Sequence, residues 1–165
     1  MPYARLAPLI VLAAALPLAV AFVRHRQVPL PTSGTVVRAV DGDTIMVSAE
    51  GRVWDVRLLG IDTPETVDPR KPVQCYGPEA SHFTKRLVTG RRVLLRYDRE
   101  HHDRYGRVLA YVYLASGRDR FVNADLVRLG YARTFPFAPN TEHEAEFAAI
   151  EREAALAGRG LWAAC

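Results

Sequence analysis

Cysteine is scarce in this chain: two in 165 residues, Cys75 and Cys165, with no Cys-x-x-Cys pair. That excludes a disulfide-dense scaffold and a thioredoxin-type redox motif, and with no grouped Cys/His set it leaves no zinc site to argue for. Sequence repeats and low-complexity tracts are absent, so solenoid and disordered classes do not apply. Charge of neither sign dominates, because 22 Lys+Arg stand against 18 Asp+Glu for a net +4 and a pI near 9.3. This balance suits a polyanionic partner without demanding one.

One long apolar run is present, at the amino terminus. Arg5 precedes an uncharged stretch from Leu6 to Val23, closed by Arg24, His25 and Arg26. Residues 1–23 read as a signal peptide with an A-x-A type site at Ala19-Val20-Ala21, or as an N-terminal membrane anchor if left uncut, or as a hydrophobic tail that is not exported. Residues 24–33, with Pro29 and Pro31, form a linker. The remainder, 34–165, leaves about 130 residues for one domain with one core. Behind an export signal two cysteines favour one disulfide, Cys75 to Cys165, which would tie down the carboxyl terminus; two unrelated thiols are the alternative.

Period-two alternation dominates the first half and helical periodicity the second. Thr35 to Val40, Thr44 to Ala49 and Val53 to Leu59 read as strands, with Glu50-Gly51 as a hairpin turn. A helix follows from Pro78 to Thr89, stopped by Gly90, then strands from Arg92 to Tyr97 and Arg107 to Leu114. Val122 to Leu129 reads as a short helix, and Thr141 to Ala157 as a longer one opened by the capping box Thr141-x-x-Glu144.

Four polar clusters interrupt this background: Asp41-Gly42-Asp43-Thr44, Arg57, Asp62-Thr63-Pro64-Glu65 and Asp103-Arg104-Tyr105-Gly106-Arg107. Asp-Gly between alternating apolar residues is by itself a turn signal. Asp62, at the end of the third strand, can be brought back beside that turn, and two converging carboxylates resist ionisation unless a divalent ion lies between them. Hard oxygen donors suit Ca2+ or Mg2+. Arg57 lies on the strand face opposite Trp54, Val56 and Leu58, and Arg107 beside a glycine-containing loop. Each alone reads as a solvated cation; as a pair they offer donors to one phosphate. Glu65 is either a solvated loop acid, a partner for Arg57, or a base.

In the order and spacing of these clusters, and in stretches such as Tyr76-Gly77-Pro78-Glu79-Ala80-Ser81 and Leu109-Ala110-Tyr111-Val112-Tyr113, the chain from Thr35 to Trp162 resembles the staphylococcal nuclease (thermonuclease) family. The resemblance implies an α+β fold, a five-stranded OB-fold Greek-key β-barrel with three α-helices. It implies a Ca2+-dependent, sugar-nonspecific nuclease acting on DNA and RNA, preferentially single-stranded, by 5'-O–P cleavage that leaves 3'-phosphates.

On that reading Asp43 and Asp62 bind Ca2+ through their side chains and Thr63 through its carbonyl, while Asp41 orients a metal-bound water. Glu65 is the general base, and Arg57 and Arg107 stabilise the phosphorane charge. Arg104, Tyr105, Phe135 and Phe137 grip the substrate, with Phe at two positions where the family commonly has Tyr; core packing is the alternative for Phe137. The chain is expected to be an exported monomer, periplasmic or secreted, or held at the membrane. Two other function classes remain: a catalytically silent OB-fold module that binds single-stranded nucleic acid, against which the retained acids and arginines argue, and a secreted protein-interaction module.

Overall fold

A computed structural model describes residues 28–115 and 120–165. The expected signal or anchor segment and residues 24–27 of the linker lie outside the described residues. Three strands open the domain: β1 (Ser33–Ala39), β2 (Thr44–Ala49) and β3 (Arg52–Leu58). Alternation sorts their side chains as expected, with Val56, Leu58 and Trp54 buried on β3 while Val53 and Asp55 face solvent. Ala49 pairs with Arg52 across a two-residue turn in which Glu50 and Gly51 both have positive φ, the conformation a tight hairpin of this twist needs.

A two-residue strand, β4 (Ile61–Asp62), follows, and then α1 (Gly77–Val88), β5 (Arg92–Arg96) and β6 (Val108–Leu114). The long strands run in the order β3-β2-β1-β5-β6, and β6 returns parallel to β3, pairing Val56 with Val108 and Leu58 with Ala110. Closure of five strands with a helix between the third and fourth long ones is the expected OB-type barrel. A register shift between Val36 and Arg38 bends β1, which pairs with β2 along its length and with β5 at its start. Ile45, Val47, Val56, Val93, Val108 and Val112 fill the interior.

The remaining elements are β7 (Arg120–Phe121), α2 (Val122–Arg128), β8 (Arg133–Thr134), α3 (Glu144–Leu156) and a one-turn α4 (Leu161–Ala164). Helix α4 is a fourth helix where three were expected. Buried Asn123 fastens α2 to the barrel: it accepts the Val112 N–H at 2.9 Å and donates to the Leu59 carbonyl at 2.9 Å. The capping box does not form. Helix α3 begins at Glu144 with no side-chain cap: the Glu144 N–H, which the Thr141 hydroxyl would accept, donates to the Thr141 carbonyl at 3.2 Å, and His143 packs its ring on Tyr111, Phe121 and Phe147.

Candidate active site

The turn between β1 and β2 folds as its Asp-Gly sequence dictates. Asp41 Oδ1 accepts the N–H groups of Asp43 at 3.0 Å and Thr44 at 2.7 Å. Gly42 lets this turn lie against the loop after β4, since a Cβ there would come within 2.6 Å of Thr63 Oγ1. Thr84 of α1 donates its hydroxyl to the Gly42 carbonyl at 2.7 Å from a fully buried position. Asp43 is thereby held beside Thr63, whose N–H and Oγ1 both donate to Asp43 Oδ2, at 2.7 and 2.9 Å.

Strand pairing brings the arginines to the same rim. Arg57 is opposite Thr44 on β2 and Leu109 on β6. Its Nη1 pairs with Asp43 Oδ1 and its Nη2 donates to Asp62 Oδ1 at 2.8 Å. Nη1 is buried against the Asp43 carboxylate. Asp62 is fixed in turn by β4, which pairs it with Arg133 of β8. Arg107 donates Nε to Asp103 Oδ2 at 2.6 Å, and its Nη1 reaches Thr44 Oγ1 at 3.4 Å. Asp103 also accepts the N–H groups of Tyr105 and Arg107, both at 2.9 Å, and so shapes the loop that aims Arg107. Sequence reasoning assigns Asp103 no role, although its spacing of four from Arg107 is a signal.

A cavity of about 160 Å³ is lined by Asp41, Asp43, Arg57, Asp62, Thr63, Pro64, Glu65 and Arg107. Beside it lies a larger one of about 460 Å³, lined by Leu58, Leu59, Ile61 and Leu109 on its apolar side and by Arg104, Tyr105, Phe135 and Phe137. Arg57, Asp62 and Arg107 line both. Phe135 and Phe137 are 51% and 46% exposed, which removes core packing as the explanation of Phe137. Arg104 donates to the Tyr105 hydroxyl at 2.7 Å, and the guanidinium of Arg107 lies 5.5 Å from the Tyr105 ring.

Comparison with known proteins decides the family. The family described as staphylococcal nuclease homologue matches residues 55–164. The thermonuclease of Staphylococcus hyicus is 44% identical over 127 residues, covering 77% of this chain and 73% of the relative. That of Staphylococcus intermedius is 45% identical over 127 residues, covering 77% and 74%. The endonuclease YncB of Bacillus subtilis is 40% identical over 130 residues, covering 78% of this chain and 60% of the relative.

The chain belongs to the staphylococcal nuclease family.

The matched span of this staphylococcal nuclease homologue holds Arg57, Asp62, Thr63, Glu65, Arg107 and both phenylalanines, and Asp41 and Asp43 lie just upstream. Two acids of the site are held above the ordinary carboxylate range. Burial, and then the charge of Asp43, push Asp41 up to about 6, against the pull of two N–H donors and Arg57. Asp62 is raised by the same two causes in the same order, although its side chain is 56% exposed and Arg57 opposes the shift. Glu65 moves the other way. The N–H of Val67 foremost, then those of Asp68 and Thr66, donate to its Oε1 and lower its pKa.

Among the described residues no group of three or more His, Cys, Asp and Glu side chains stands close enough to hold a metal ion. The donor chemistry nonetheless fits a hard cation: two acids with raised pKa values flank Asp43, and one guanidinium is shared between Asp43 and Asp62. Two side-chain carboxylates and a main-chain carbonyl are too few ligands for Ca2+ alone, so water and substrate oxygens complete the set.

Proposed function

We propose that this chain hydrolyses phosphodiester bonds of DNA and RNA in a Ca2+-dependent reaction, cleaving the 5'-O–P bond and leaving 3'-phosphates. The observation that carries this reading is the lining shared by the two cavities: Arg57, Asp62 and Arg107 border both the acidic depression and the aromatic groove. A strand laid in the groove presents its phosphate to two guanidinium groups and a carboxylate set at once.

Asp43 and Asp62 would hold Ca2+ through their side chains and Thr63 through its carbonyl, with Asp41 behind them orienting a water. When bound, the ion supplies positive charge against a phosphate oxygen and acidifies a coordinated water. Arg57 and Arg107 donate to the equatorial oxygens as phosphorus becomes five-coordinate and gains charge. Glu65, ionised at neutral pH, orients the attacking water and accepts its proton as the new O–P bond forms. Its lowered pKa makes it a weak base, so positioning carries much of its effect.

Phe135, Phe137 and Tyr105 offer exposed rings to unstacked bases, which favours single strands and little sequence preference. The protein acts as an exported monomer, released after cleavage of the leader or held at the membrane by it. Cys75 and Cys165, in disulfide contact with Cα atoms 6.0 Å apart, support an oxidising compartment.

The test is release of acid-soluble nucleotides from denatured DNA and from RNA, in millimolar Ca2+ and in EDTA, with analysis of the new ends. Ca2+-dependent release with 3'-phosphates is expected. Binding of denatured DNA without release would instead make the domain a silent nucleic-acid-binding module.

A further inference from the structure

We propose that the Cys75–Cys165 disulfide is a strut that positions Glu65 through Gln74. The inference rests on the assignment of Glu65 to the attacking water.

The loop after Glu65 has little apolar anchorage, for Val67 and Val73 are 52% and 62% exposed. Polar contacts at its two ends hold it instead. At the start, Glu65 Oε1 takes the three N–H groups of residues 66–68. At the close, Gln74 grips Glu65 reciprocally: its Oε1 accepts the Glu65 N–H at 2.8 Å and its own N–H donates to the Glu65 carbonyl at 2.9 Å. Gly77 supports the same residue from the helix side, where a Cβ would meet the Pro64 carbonyl at 3.0 Å and that of Glu65 at 3.2 Å. The backbone of Glu65 therefore sits between Gln74 and the start of α1.

Gln74 is followed at once by the cysteine whose partner is 90 residues away. The far end of that bond is well fixed. Leu161 of α4 is 2% exposed and donates its N–H to the Gly130 carbonyl at 2.9 Å, and Cys165 N–H bonds to the Leu161 carbonyl at 3.0 Å. Trp162 carries Arg133 over its ring at 4.2 Å, and Arg133 pairs along β8 with Asp62. One covalent bond thus joins the grip on Glu65 to an element that also touches β8, the strand paired with Asp62. Tyr76, next to Cys75, keeps a left-handed φ of 66° that is unfavourable for any residue but glycine, so this stretch needs external restraint. Its ring stacks on Tyr131, and the disulfide supplies the second hold.

The experiment compares the full chain with its Cys75→Ser/Cys165→Ser variant, each below its melting transition. The strut predicts a fall in kcat of about tenfold, the scale of a misplaced reacting group, with KM for denatured DNA and the affinity for calcium alone changed less than about twofold. It also predicts about tenfold faster hydrogen exchange at the amides of Thr66, Val67 and Asp68, with β2 and β3 unaffected. In a Glu65→Gln background the same cysteine changes should alter kcat by less than about twofold, since the group they position is gone. Gln74→Ala should reproduce the loss with the disulfide intact, and Gln74→Glu, which keeps an acceptor, should restore most of it. Wild-type kcat in the folded double-serine variant, or an equal loss in the Glu65→Gln background, overturns the proposal. If the unaltered chain shows no turnover, the reading of Glu65 fails, and unchanged exchange at residues 66–68 then refutes the strut separately.

Discussion

Thr63 is bound twice to one oxygen of Asp43, through its N–H at 2.7 Å and its hydroxyl at 2.9 Å, across 20 residues of chain. This buried contact fixes the distance between the first turn and the loop after β4, so it carries both stability and the shape of the acidic cavity. Thr63→Val removes the hydroxyl donor and keeps the volume. Urea unfolding is expected to show a loss of about 1 to 2 kcal/mol, and the variant should bind calcium more weakly. An unchanged midpoint would show that the hydroxyl contact contributes nothing.

Arg57 shares one guanidinium between Asp43 and Asp62, the first buried and the second exposed. Arg57→Gln leaves the Asp43 carboxylate without its cation, so the protein in EDTA should lose several kcal/mol, about 3 if the pair behaves as other buried ones do. Saturating Ca2+ should recover part of that loss, because a ligand bound only to the folded state stabilises it. Thermal melts of both proteins with and without Ca2+ check this; equal losses in the two conditions would mean that Ca2+ does not bind beside Asp43.

Much of this geometry is legible in the amino-acid sequence. Alternation in β2 and β3, the Glu50-Gly51 turn and the stop of α1 at Gly90 are local signals, and the structure follows them to within a residue or two. The acids and arginines stand out because they interrupt apolar periodicity. What stays hidden depends on partners distant in sequence: closure of the barrel by β3 and β6, the packing of His143 on Tyr111 and Phe121 at the start of α3, and the grip of Gln74 on Glu65. Phe137 is ambiguous for the same reason, since its exposure is set by a turn whose pattern matches neither strand nor helix.

Asp41 offers a pH test. With its folded pKa raised from 3.8 to about 6, the folded state holds a proton that the unfolded chain has released in between. Its contribution is favourable below about pH 4 and is lost as pH rises through about 6, so in EDTA it lowers stability across that window. Asp41→Asn keeps an oxygen for the N–H groups of Asp43 and Thr44 but removes the titration. Relative to wild type the variant should gain on the order of 2 kcal/mol between pH 4 and 6.5. Parallel pH profiles would show that Asp41 titrates normally.

Phe135 and Phe137 should act on binding and not on the chemical step. Each change to Ala is expected to raise KM for denatured DNA about tenfold with kcat nearly unchanged, the scale of one lost base stack. A fall in kcat with constant KM would place these rings in the reaction itself.

In the proposed reaction Glu65 and the Arg57/Arg107 pair act on one phosphate in a Ca2+-dependent hydrolysis. Single-turnover cleavage of denatured DNA by the full chain and by its Glu65→Gln and Arg107→Lys variants, in Ca2+ and in EDTA, tests it most directly. Cleavage is expected only with Ca2+, with a drop of about 100-fold or more in each variant and with DNA binding and the melting temperature in Ca2+ little changed. Cleavage at the wild-type rate in either folded variant, or cleavage undiminished in EDTA, would contradict it.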